Sequence, residues 1–82
     1  MAQSKSFTLG GRSFELSYEK VVKSLRGVQP ETIQKYYIEV GNTAYPIKQA
    51  FAVSTGFSLA AFTSQHAFRI LQSLGFEIKE KA

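Results

Sequence analysis

Gln65, Arg69 and Gln72 recur at intervals of four and three residues, the spacing that puts side chains on one stripe of an α-helix. A carboxamide there can bond the edge of adenine, and a guanidinium can grip guanine or a phosphate. Thr63 and Ser64 immediately precede the stripe. A hydroxyl at that point can cap the helix, and the first free N–H groups can meet a phosphate. Lys48 adds a cation in Tyr45-Pro46-Ile47-Lys48, behind an aromatic residue and a proline suited to a helix start. Lys48, Thr63, Ser64, Gln65, Arg69 and Gln72 are therefore the candidate nucleic-acid-binding residues.

No carboxylate interrupts residues 40–76, which are bracketed by Glu39 and Glu77. Ten Lys and Arg against six Glu give the 82-residue chain a net charge of +4, which favours polyanionic partners. The distribution tempers this. Residues 1–39 hold six basic and four acidic groups, residues 40–76 only Lys48 and Arg69, and residues 77–82 two of each sign. Charge alone would give weak, salt-sensitive binding.

Other chemistries find little support. His66 is the only histidine and there is no cysteine, so a two-histidine or thiolate metal site and a Cys nucleophile are excluded within one chain. No serine or carboxylate is spaced as an evident triad with His66, and Gly10-Gly11 is a turn signal rather than a phosphate loop. We expect no enzyme activity, catalytic residue, metal or cofactor. There is no apolar run of signal-peptide or bilayer-spanning length, and the lack of cysteine suits a reducing compartment. A cytoplasmic protein without a membrane partner is the expectation.

These side chains need a scaffold, and 82 residues can bury one modest core. A first hairpin pairs residues 7–9 with 12–16 about Gly10-Gly11, placing Phe7 opposite Phe14 and Leu9 opposite Arg12. Ser17 caps a helix over 18–26, with Tyr18, Val21, Val22 and Leu25 inward, Lys20, Lys23 and Arg26 outward, and Gly27 as its stop. Pro30 opens a short helix over 31–36. A second hairpin, 37–40 with 43–45 about Gly41-Asn42, pairs Ile38 with Tyr45 and Val40 with Thr43.

Pro46 ends that hairpin and starts a helix over 47–55, with Ile47, Ala50 and Phe51 inward and Lys48, Gln49 and Thr55 toward solvent. Gly56 closes it. Residues 57–62 form a partly buried connection to the last helix, whose inner side holds Ala67, Phe68, Ile70, Leu71 and Leu74. Gly75 ends the helix and residues 76–79 make a final strand, while residues 1–5 and 80–82 are expected to fray. The expected fold class is α+β, in the order ββααββααβ.

The helix pair 47–55 and 63–74 is helix-turn-helix-like, although its connection exceeds the usual three or four residues. The last strand can serve as a wing, opposed by Glu77 and Glu80. A solvated amphipathic helix produces the same polar stripe. Tyr36, Tyr37 and Tyr45 can stack on unpaired bases, but burial of Tyr45 against Ile38 is the simpler reading.

Tyr37-Ile-Glu-Val-Gly-Asn-Thr-Ala-Tyr45-Pro46-Ile-Lys48, then Phe62-Thr63, then Arg69-Ile-Leu-Gln-Ser-Leu74-Gly75-Phe76-Glu-Ile78 resembles a small module at the head of some McrA-like HNH restriction endonucleases. Their pattern is a strand, a Gly-containing turn, Tyr-Pro-x-Lys, a Phe-Ser or Phe-Thr step and a terminal Leu-Gly-Phe. This chain has Ser64-Gln65 where Gly-Gly often follows, and it has no nuclease portion. The resemblance implies a DNA-associated role for Lys48 and the helix start near Thr63, without cleavage.

The residues thus point to a small, basic, non-catalytic nucleic-acid-binding module, with DNA preferred over RNA. A different class remains open. Exposed apolar residues of the 57–62 connection, such as Phe57 and Leu59, would suit a protein-interaction or homodimerisation module.

Overall fold

Gly10 and Gly11 both adopt positive φ, 58° and 80°, and this lets a two-residue turn join strands β1 (Lys5–Leu9) and β2 (Arg12–Leu16). The computed structural model describes residues 4–81. The register is the expected one, with Phe7 opposite Phe14 and Leu9 opposite Arg12. Leu9 and Leu16 are buried, and Phe7 and Phe14 are half-buried.

Helix α1 (Tyr18–Ser24) begins where Ser17 Oγ accepts the Lys20 N–H at 3.1 Å. It is shorter than expected. The Arg26 N–H reaches back only to Lys23 O and the Val28 N–H to Leu25 O, tightening the end into turns. Val21 and Leu25 are buried as anticipated. Tyr18 is not inward: it is 46% exposed and lies flat on Phe76, with centroids 4.2 Å apart.

The helix expected over 31–36 does not form. Residues 28–34 have no regular structure, and Tyr36 already belongs to the following strand. The contacts of Gln49, in the helix that follows Pro46, account for this: it is 7% exposed instead of facing solvent. Its Nε2 donates to Gln29 O at 2.7 Å, and its Oε1 accepts the Glu31 N–H at 2.9 Å. One helical turn gains few backbone bonds for the residues it fixes, so a side-chain clamp on irregular backbone prevails.

Strands β3 (Tyr36–Val40) and β4 (Thr43–Pro46) pair with Ile38 opposite Tyr45 and Val40 opposite Thr43, as expected. β5 (Lys79–Glu80) adds to the other edge of β3, giving the order β4-β3-β5 beside the separate β1-β2 ribbon. It is therefore a paired strand of that sheet. Pairing reaches into both segments expected to fray: Lys5 lies opposite Leu16, Glu80 opposite Tyr36, and the Lys81 N–H donates to Lys35 O at 2.6 Å. Met1–Gln3 and Ala82 lie outside the described residues.

Helix α2 (Ile47–Thr55) starts after Pro46, which occupies the capping position instead of the first helical one, and ends at Gly56 with φ 80°. Ile47, Ala50 and Phe51 are buried as expected. The connection folds into a short 3₁₀ turn, η1 (Leu59–Ala61), before α3 (Ser64–Ser73). Phe57 and Phe62 are buried on either side of η1, so Phe57 is not an exposed apolar residue, whereas Leu59 is 49% exposed. The class is α+β as anticipated, but the described residues contain three α-helices and one 3₁₀ turn, not two helix pairs after two hairpins. No helix among them is long and apolar enough to cross a membrane.

Two expectations follow. Gln49→Leu should lower unfolding stability by about 1–3 kcal/mol, because two partly buried backbone groups lose their partner. Denaturant unfolding checks this, and an unchanged midpoint would refute the clamp. On the sheet surface, Lys79 Nζ lies 2.6 Å from Glu39 Oε1. The hydrogen bond to Glu39, then its charge, raises the Lys79 pKa above its ordinary value. A raised lysine pKa contributes stability below the unfolded-state value and loses it as pH climbs through the folded-state value. In Glu39→Gln, an NMR titration should find the Lys79 pKa lower than in wild type; an unmoved curve would exclude this cause.

Candidate functional site

Helix α3 carries its chemistry because its start is well capped. Thr63 Oγ1 accepts the His66 N–H at 3.3 Å, and His66 Nδ1 accepts the Thr63 N–H at 3.3 Å, closing a reciprocal capping box. His66 thus serves a local structural purpose at an exposed position. Ala67, Ile70 and Leu71 are buried against the core, with Phe68 and Leu74 half-buried beside them. This leaves Gln65, Arg69 and Gln72 exposed on the other side, as the spacing predicts.

What the stripe faces was not evident from the helix itself. Ser64, Gln65, Phe68, Arg69 and Gln72 line an open groove of about 560 Å³ together with Lys35 and Tyr36. A second groove of about 300 Å³ runs between the 31–36 segment and the start of α2. Lys48 lines this one. The two share Lys35, Tyr36 and Ser64, so five of the six candidates belong to one continuous face. Thr63 lines neither groove; its hydroxyl is engaged in the cap.

The grooves are bordered by cations held near aromatic rings. Lys35 Nζ is 5.1 Å from the centroid of the Tyr36 ring, and Lys48 Nζ is 5.5 Å from that of Phe62, distances at which a ring's negative face attracts a cation. Tyr36 in turn meets Phe68 edge to face, with centroids 5.0 Å apart. Lys35, Lys48 and Arg69 line the grooves with a single carboxylate, Glu31, at the α2 end. That carboxylate lies outside the acid-free run.

Other candidate residues fall away from this face. Tyr45 is 5% exposed and its hydroxyl is within 3.0 Å of both Leu25 O and Val28 O, so it anchors the core and cannot stack on a base. Lys20, Lys23 and Arg26 are exposed on or just after α1 but line neither groove. Among the described residues, no three His, Cys, Asp or Glu side chains are grouped to hold a metal ion.

Lys35 is the lining residue that sequence reasoning missed, whereas Tyr36 was among the tyrosines able to stack on a base but was not placed beside the stripe. The Lys35-Tyr36-Tyr37 run signals cation-plus-aromatic chemistry, but its placement opposite α3 depends on long-range contacts. β3 pairs with β5, and the Tyr36 ring packs on Phe68. Neither contact has a local sequence signature.

The chain belongs to the SCO5918-like family, whose sequence model matches residues 9–82. The match spans every residue lining the two grooves. No curated protein and no solved structure matches the chain.

If the capping box sets the start of α3, Thr63→Ala should destabilise the protein by about 1 kcal/mol and speed hydrogen exchange at the His66 amide. Chemical denaturation and exchange NMR measure both. Unaltered stability together with unaltered exchange would rule the box out as a structural support.

Proposed function

We propose that this chain is a small, basic, non-catalytic nucleic-acid-binding module, with DNA preferred. The observation carrying this reading is the convergence of Lys48, Ser64, Gln65, Arg69 and Gln72 on two joined grooves. Lys48 and the start of α3 at Thr63 and Ser64 position the phosphate backbone, while Gln65, Arg69 and Gln72 offer donors and acceptors to base edges. The resemblance of the Tyr45-Pro46-Ile47-Lys48 and Leu74-Gly75-Phe76 runs to the head module of McrA-like HNH endonucleases supports the same role, without cleavage. A helix-turn-helix-like use of α2 and α3 would be a variant, since residues 56–63 separate the two helices. A cysteine-free chain suits a cytoplasmic setting.

One observation favours a second reading. Leu59 is 49% exposed and Val53 39% exposed, which would suit a protein-interaction or homodimerisation surface; Phe57, being buried, contributes nothing to it. A solution mass that stays monomeric at every concentration would exclude the homodimer.

Fluorescence anisotropy with labelled DNA and RNA, repeated between 50 and 200 mM salt, tests the primary reading. Binding should weaken steeply with salt, and Lys48→Ala and Arg69→Ala should each lower affinity and reduce the log–log salt slope by about 0.7–0.9. RNA of the same sequence should bind less tightly than DNA. The reading fails if nothing binds at low salt or if both variants bind as wild type does.

A further inference from the structure

The shape of the same face bears on strandedness. A helix that reads duplex DNA inserts into a groove of the nucleic acid. Here the protein itself carries an open concavity, lined by Lys35 and Tyr36 together with Ser64, Gln65, Phe68, Arg69 and Gln72. A single strand can lie within it.

The lining also has the two chemistries that a single strand needs together. Bases require flat apolar surface and phosphates require cations. Tyr36 is half-buried and braced by Phe68 at 5.0 Å, so its ring is held in a fixed orientation. Lys35, on the adjacent residue, is exposed and rests 5.1 Å from that ring. From this pair the path runs one way to Lys48 and the other to Arg69, giving three cations along the track against the lone Glu31 carboxylate.

We propose, on the basis of the nucleic-acid reading above, that Lys35 and Tyr36 are the central contact of a track for unpaired nucleotides. One base stacks on Tyr36. The incoming base displaces the Lys35 ammonium from the ring face toward a backbone phosphate, while Lys48 and Arg69 neutralise flanking phosphates. The preferred ligand is therefore a single-stranded stretch, and Lys35 and Tyr36 join the binding residues.

The test compares a labelled homothymidine oligonucleotide with a blunt mixed-sequence duplex at one low salt concentration. The single strand should bind about tenfold or more tightly than the duplex. Tyr36→Leu keeps apolar bulk against Phe68 but removes the aromatic face, and should weaken single-strand binding on the order of ten- to a hundredfold. Lys35→Ala, at an exposed side chain, should weaken it severalfold. The chain has four Tyr and no Trp, so tyrosine emission can be followed directly. Saturation with the single strand should quench it in wild type and quench it less in Tyr36→Leu.

Circular dichroism verifies that Tyr36→Leu is folded; if it is not, Lys35→Ala and the wild-type preference decide. Equal or tighter duplex binding overturns the proposal, as does wild-type affinity for the single strand in the folded variants. Loss of all binding, to single strand and duplex alike, would instead overturn the nucleic-acid reading itself.

Discussion

Phe51 is the point from which the rest of the structure is arranged. It is fully buried in α2, and it meets Phe14 from the first hairpin, Phe57 after Gly56 and Phe62 before α3, with centroids 5.8, 6.2 and 4.6 Å away. All three contacts are edge-to-face, the arrangement favoured by ring quadrupoles. A chain without disulfides, too small for two cores, gains most by closing several segments on one large side chain. The connection between α2 and α3 is accordingly drawn back onto α2 at both ends. Between those two rings, residues 58–61 stay exposed.

The same helix arranges polar structure on its first turn. Gln49 is buried two residues before Phe51, and both polar ends of its side chain are used on backbone of the 29–31 segment. An unpaired carboxamide at that depth would be costly, and a satisfied one fixes its partners. The chain held at residues 29–31 leads on to Lys35 and to Tyr36, the first residue of the central strand of the β4-β3-β5 sheet, and both line a groove with residues of α3. The grooves are thus a consequence of core packing: α2 sets the position of one wall through Gln49, and it supports the other through its packing with α3.

Local rules account for what was legible in the sequence. Gly-Gly and Gly-Asn between alternating apolar residues gave both hairpin registers, Ser17 and Thr63 marked caps, Gly56 marked a stop, and the period of α3 separated Ala67 and Leu71 from Gln65, Arg69 and Gln72. Each is decided within a few residues. The failures share an opposite cause. A helix over 31–36 loses to a side chain eighteen positions away, Gln49 looks like surface because carboxamides usually are, and Phe57 looks exposed because nothing local announces its contact with Phe14. Five candidate site residues proved to share a face, but the facing wall was hidden because tertiary contacts place it.

The charge pattern acquires a different meaning once that wall is included. The acid-free run supplies Lys48 and Arg69 to the grooves, but Lys35 comes from before it, and so does Glu31, the carboxylate that lines them. Positive character on this face is therefore assembled from separate chain segments, and at a net charge of only +4 it cannot rest on long-range attraction alone. Three spaced cations are a modest electrostatic term, of the kind that salt readily screens. Under the proposed nucleic-acid reading, selectivity comes from short-range contacts, and the groups on this face able to make them include the Tyr36 and Phe68 rings and the Gln65 and Gln72 carboxamides. An apolar ring surface flanked by amide donors and acceptors is wasted on a smooth phosphate backbone but complementary to an exposed base, which presents a flat face and a polar edge at once.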